Sequence, residues 1–403
     1  MSVYILLINV LLLNHFLIVK VQGGFRSKRE DIETENTVIE VFHDCKCVNY
    51  YQCDANNRVI TNGENLIDVR MGGNVAKPGN MTRIQCKGGT FEGELICCKV
   101  INGTEGSTEK VIPDTDHDNT TVDPTHQTQC GNCGTQRTKI NVRIIVDEDS
   151  EEEINPLDGE FPWITPIYRK NKQGKWYFYA SGTLIHPKVI LTANHLFNRK
   201  HANNFKVILT GNIELTNVGN NVNNERNVAE IVNHPKYYAG ALYNDGALLI
   251  LDKPFESTNT NSINTLCLPP DNLNINSLGR CLVAGWGNGS EEAGTRILKK
   301  VDLPIVPIDK CQEQLRKSRM GEDYILHESF MCAGGEKNKD ACKGDGGSPL
   351  MCLHPGQTNR YFVMGIVSWG MGCGIENVPG IYASAVKLKP WVLEELKKRN
   401  LML

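Results

Sequence analysis

The stretch Cys342-Lys343-Gly344-Asp345-Gly346-Gly347-Ser348-Pro349-Leu350 decides how the larger part of this chain is read. Three glycines around one aspartate mark a tight turn that needs backbone conformations closed to other residues. Two earlier motifs give that turn its meaning. LTANH ends at His195, and NDGALL, residues 244–249, carries Asp245. A histidine can act as general base, a buried aspartate can hold its tautomer, and a Gly-rich turn can aim backbone N–H groups at a developing oxyanion. The order His, Asp, Gly-rich turn is that of one class of acyl-transfer protease. Each motif alone is common. Together with GWG at 285–287 and SWG at 368–370 they form a specific set.

Outward from these motifs, the chain from Cys130 on alternates short apolar runs with turn residues: FPWITPIY, WYFYASGTLI, KVILTANHLF, NDGALLIL, CLVAGWG, YFVMGIVSWG and GIYASAV. That texture predicts an all-β unit of barrel or sandwich type. At the end, LKPWVLEELKKRN places Leu388, Trp391, Val392 and Leu396 at helical spacing, with a basic last turn suited to a helix C-terminus.

The 403 residues carry 43 basic and 46 acidic side chains, a net charge of −3 too balanced for nucleic-acid binding. Fifteen cysteines favour an exported, disulfide-bonded protein, and the odd count leaves at least one without an intrachain partner. Residues 1–23, with the apolar run 3–19 and the small Gly23, read as a signal peptide, and no membrane span is expected. Asn80, Asn102, Asn119 and Asn288 sit in N-x-S/T acceptors for glycosylation. Residues 24–44 form an extension. Six cysteines, Cys45, Cys47, Cys53, Cys86, Cys97 and Cys98, mark residues 45–98 as a unit that needs staples for want of a core, with fifteen connectivities open. Within it VNYYQC and RVITNGENLIDVR read as short strands around an Asn62-Gly63 turn. Residues 99–129 are a polar linker, and 130–403 the β unit. The acidic run 147–153 reads as a solvated loop.

On these motifs residues 158–397 resemble a chymotrypsin-like serine protease domain, which implies two six-stranded antiparallel β-barrels and a C-terminal helix. The family motif is Gly-Asp-Ser-Gly-Gly-Pro. Here Gly346 stands in the nucleophile's place, so the resemblance implies triad-like positions His195, Asp245 and Gly346 with no attacking group. Ser348 lies two residues on, about 6 Å along an extended chain, too far for a turn that presents one side chain to the base. Losing such a serine costs on the order of a millionfold in turnover. The domain is therefore expected to be a pseudoenzyme. The resemblance further implies oxyanion-hole amides at Gly344 and Gly346, and a specificity pocket with Asp340 at its base and Gly370 and Gly380 as open walls. Its activation would free an amine to pair with Asp345, but Arg143-Ile144-Ile145-Val146-Asp147 lacks the following Gly-Gly. No cofactor or metal is expected.

CKCVNYYQC, ITNGENLIDVR and the adjacent pair Cys97-Cys98 resemble a clip domain. KKVDLPIVPIDKCQEQLR, RMGEDYILHESFMCAGG and KDACKGDGGSPLMC resemble clip-domain serine protease homologues of the prophenoloxidase-activating-factor type. The resemblance implies the pairs Cys45–Cys97, Cys47–Cys86, Cys53–Cys98, Cys281–Cys352, Cys311–Cys332 and Cys342–Cys373, with Cys267 bonded to Cys130 or Cys133. The family's bridge beside the catalytic histidine is missing, with Ala180 and Leu196 at its two ends. The implied role is a secreted, haemolymph-type auxiliary protein that works with prophenoloxidase and an active clip-domain protease toward melanin formation. Some relatives are cut and then oligomerise, which makes Arg70, Arg83 and Arg143 candidate cut sites. Two other readings stand beside it: an active trypsin-like endopeptidase using Ser348, and a secreted protein that binds microbial surfaces or, like a venom component, inhibits melanisation.

Overall fold

The computed structural model describes residues 10–13, 16–19, 45–49, 58–63, 67–69, 95–99, 133–136, 156, 159–209, 214–215, 224–256, 264–287 and 296–403. The chain divides into two compact units, residues 1–59 with 81–110, and residues 60–80 with 111–403.

In the first unit β1 (Val10–Leu13) pairs antiparallel with β2 (Phe16–Val19). β3 (Cys45–Asn49) pairs with a strand at Leu95–Lys99, setting Cys47 opposite Cys97 and Cys45 opposite Lys99. The side chains of these strands, and Cys53 and Cys86, lie outside the described residues, as do the three pairings expected among them. β4 (Asp68–Val69) belongs to the second unit, and Leu95–Lys99 is β5.

The second unit opens with a barrel built from β6 (Ile164–Lys170), β7 (Trp176–His186), β8 (Val189–Thr192), β9 (Phe205–Ile208), β11 (Glu225–Asn233) and β12 (Ala247–Leu251). It closes in the order β11-β12-β8-β7-β6-β9. β8 and β12 are buried along their whole length, which is why VILT and ALLIL read as unbroken apolar runs without alternation. β10 (Glu214–Leu215) pairs with β14 (Arg296–Ile297).

A second six-stranded ring follows: β13 (Arg280–Gly285), β15 (Lys299–Val306), β16 (Phe330–Gly334), β17 (Pro349–Leu353), β18 (Tyr361–Gly370) and β19 (Pro379–Ser384). Its order is β17-β13-β15-β16-β19-β18, closed by the β17–β18 pairing. Two helices complete the unit. α1 (Ile308–Arg316) buries Cys311 and Leu315, an i,i+4 pair; that spacing is the signal of a helix which the strand-rich reading passed over. α2 (Ala385–Lys398) buries Leu388, Trp391, Val392 and Leu396. Leu388 lies so close to Gly246 that a Cβ there would sit 2.8 Å from its methyl carbons, so the helix is seated over the turn that carries Asp245.

Among the described residues four disulfides brace the unit: Cys133–Cys267, Cys281–Cys352, Cys311–Cys332 and Cys342–Cys373. Of the two candidates for Cys267, Cys133 holds the bond; Cys130 lies outside the described residues. One expectation is corrected. The second strand after the Asn62-Gly63 turn, Asp68–Val69, pairs with β18 at the far end of the sequence. A two-residue strand contributes few ladder hydrogen bonds, so its place is set by what packs beside it, here the buried Ile60 and Ile67.

Candidate functional site

His195 stands in a short 3-10 turn, Asn194–Leu196, directly after β8. Its backbone N–H donates to Asp245 Oδ1 at 2.7 Å, and its ring Nδ1 lies 2.7 Å from Asp245 Oδ2. Ser368 on β18 donates its hydroxyl to the same Oδ2 at 2.5 Å. Asp245 is fully buried, and three donors, two from His195 in its turn and one from Ser368 on β18, fix both its oxygens. This orients the imidazole so that Nε2 faces the cleft. That Nε2 is buried and has no hydrogen-bond partner among the described residues. Burial first, and the Asp245 carboxylate second, push the neighbouring Tyr237 phenol upward.

Opposite lies the Gly-rich turn. Gly344 and Gly347 take left-handed conformations, φ 93° and 85°. A Cβ on Gly347 would fall 2.3 Å from the Ser181 carbonyl oxygen, so the chain crosses there at a distance only glycine permits. Asp345 anchors the turn by accepting from the N–H groups of Gly287 at 3.0 Å and Cys342 at 2.9 Å. The turn thus has its frame, and at Gly346 it offers no side chain. Ser348 is fully buried on the other side: a Cβ on Gly285 in β13 would meet its Oγ at 2.6 Å, and that Oγ has no hydrogen-bond partner among the described residues. It is packed against β13 and makes no hydrogen bond to His195.

Of the residues expected to form a pocket, Asp340 and Gly380 lie side by side. Asp340 Oδ2 accepts from the Gly374 N–H at 3.3 Å. Gly380 on β19 borders Asp340, where a Cβ would lie 3.0 Å from Oδ1, and Gly370 closes β18. Cys342–Cys373 ties the two loops that flank them. Where a disulfide is missing beside His195, Ala180 and Leu196 are buried in the apolar core, and a Cβ on Gly347 would touch Leu196. Apolar packing replaces the cross-link. Among the described residues no group of His, Cys, Asp and Glu is placed to hold a metal ion, and no helix is long and apolar enough to cross a membrane. Residues 144–147, the four acceptor asparagines, and Arg70, Arg83 and Arg143 lie outside the described residues. The role of Ser368 as a third partner of Asp245 was not read from SWG, because nothing local to that tripeptide points to residue 245.

Two antiparallel barrels that hold a His–Asp pair against a Gly-Asp-Gly-Gly turn define a chymotrypsin-like scaffold. The Trypsin family model matches residues 153–392, more than half of the chain. A model described as Serine protease Clip domain PPAF-2 matches residues 36–99. Phenoloxidase-activating factor 2 of Galleria mellonella is 37% identical over 69% of this chain and 93% of its own length. The Anopheles gambiae proteins named Inactive CLIP domain-containing serine protease A8 and A28 are 37% and 33% identical, over 58% and 75% of this chain and 64% and 77% of theirs. The chain belongs to the trypsin family, within its clip-domain serine protease homologues.

Proposed function

We propose that this protein is a secreted, non-catalytic auxiliary factor in a prophenoloxidase-activating cascade. The observation that carries the reading is the cleft itself: a His195–Asp245 pair held at 2.7 Å faces a turn whose residue 346 is glycine, while Ser348, two residues on, is packed onto β13. A general base without a nucleophile cannot open the acyl-transfer sequence, since no acyl-enzyme forms. What survives is a rigid, disulfide-braced surface with loops for partner contact, joined through a polar linker to a second, clip-type contact unit. The likeness to a factor named for phenoloxidase activation and to proteins named inactive supports the same reading. Its partners in this reading are prophenoloxidase and an active clip-domain protease, with cleavage at Arg70, Arg83 or Arg143 preceding assembly.

Reconstitution tests it. Purified prophenoloxidase and its activating protease are assayed for phenoloxidase with and without this chain. Stimulation is expected, and it is expected to persist in His195→Ala, because no proton transfer is used. No stimulation, or stimulation lost with His195→Ala along with hydrolysis of an arginyl amide, would sink the proposal.

A further inference from the structure

The edge of the second barrel that borders the cleft is occupied by the chain's own residues 60–63 and 67–69. β4 lies antiparallel on the end of β18 and is the terminal strand of that sheet, Val69 opposite Trp369 and Asp68 opposite Gly370. The contact extends beyond two residues. Asp68 meets Arg319 at 2.8 Å through one oxygen and accepts from the Gly372 N–H at 3.1 Å through the other. The Ile325 N–H donates to the Thr61 carbonyl at 2.9 Å. Ile60 and Ile67 are both buried at 8% exposure. Gly63 sits at φ 77°, so near Met320 and Tyr324 that a Cβ would come within 2.5 and 2.9 Å of their side chains. Tyr324 in turn packs edge-on against Trp369.

The direction of β4 matters. Running from 68 to 69, it passes from Gly370 to Trp369, toward Ser368 and so toward the His195–Asp245 pair. A strand added to a sheet edge binds through main-chain hydrogen bonds, with alternate side chains filling pockets. An open edge at this place is where an extended peptide would be drawn into the cleft. We propose that residues 60–63 and 67–69 are a built-in occupant of this peptide-binding edge, which keeps the cleft closed to other extended chains until they are released. The ion pair to Arg319 is at the surface and contributes little. The two isoleucines and the backbone hydrogen bonds provide the hold, so the contact can be weakened without disturbing the barrel. The inference rests on this geometry alone and does not depend on the cascade role.

The full chain carrying Ile67→Asp is compared with wild type by two readouts. Amide hydrogen exchange follows Ile325 and Gly372, whose acceptors the segment supplies. Fluorescence polarisation follows a labelled Leu-Ile-Ala-Val-Arg peptide. Exchange at both amides is expected to rise at least tenfold, and the peptide to bind at least tenfold more tightly than to wild type. Arg319→Glu, which alters only the barrel side, gives a second route: a rise of about threefold by like-charge contact with Asp68, reversed by adding Asp68→Lys. Unchanged exchange in both variants overturns the proposal. So does faster exchange with no gain in peptide binding, which would make the segment a structural strap, and so does equal peptide binding by wild type.

Discussion

The two halves of the cleft differ in what they have kept. The first barrel presents a complete base: His195 and Asp245 joined by two hydrogen bonds, with Ser368 of the second barrel supplying a third to the carboxylate. The second barrel presents a complete frame and no reactant. Gly344 and Gly347 hold the turn, Asp345 pins it to two amides, and residue 346 carries no side chain. The contrast separates structural from chemical need. Asp245 satisfies three donors where it is fully buried, and Gly347 lets two chains cross. Removing either harms the fold, whatever the chemistry. A hydroxyl at 346 serves only attack on a substrate, and that position is glycine.

The largest effect should come from Asp245→Ala. It leaves three buried donors without their acceptor, and a cost of about 3–5 kcal/mol is expected, measured by urea unfolding. A loss under 1 kcal/mol would mean that the pair survives for some reason other than stability. Gly347→Ala comes next. A left-handed alanine and a Cβ pressed on the Ser181 carbonyl cost about 3 kcal/mol, seen as a fall in Tm of about 6–12 °C. A normal Tm would show that the turn is a relic with room to move.

A smaller effect follows from pH. Burial comes first among the causes that hold His186, His234, His327 and His354 below the ordinary imidazole value of 6.5. Their neutral forms suit the fold, so this contribution is whole above about 6.5 and declines as pH falls below it, where the unfolded chain takes up protons first. Asp302, Glu336 and Glu395 are shifted downward as well, and as acids they therefore stay ionised at pH 5. Tm is expected to be a few degrees lower at pH 5 than at 7.5, and equal values would show that these rings reach water in the fold. The smallest effect is assigned to Gly346→Ser. Gly346 lies outside the left-handed region, so stability should change by less than about 1 kcal/mol. Arginyl-amide hydrolysis should stay at background, because the Ile144-Ile145-Val146-Asp147 stretch lacks the Gly-Gly of an activation amine. Brisk turnover after cleavage at Arg143 would show that one hydroxyl was the whole difference between the two halves.

Much of this was legible because it is local. The Gly-Asp turn, the His and Asp motifs in order, and the amphipathic spacing of α2 are each written in a few neighbouring residues. The absence of a nucleophile is a statement about one position. The cysteine ledger shows where local reading stops. With the odd count, the pairings implied by the resemblance leave the spare thiol at Cys130 or Cys133, and the observed Cys133–Cys267 bond now points to Cys130. Alkylation of the unreduced protein followed by mass spectrometry should label Cys130, and finding it in an intrachain bridge would refute the assignment.

What the amino-acid sequence determined by itself is therefore the class of fold, the base and its carboxylate, and the empty place at 346. Only the tertiary structure decided that Ser348 packs onto β13, that Ser368 completes the shell of Asp245, and that Asp68–Val69 pairs with a strand three hundred residues away. The reason is physical. Turn and helix preferences arise from sterics within a few residues, whereas a sheet edge accepts any extended backbone of suitable register. Which strand takes it depends on the apolar surface buried beside it, here around Ile60 and Ile67, and that surface exists only after the barrel has closed.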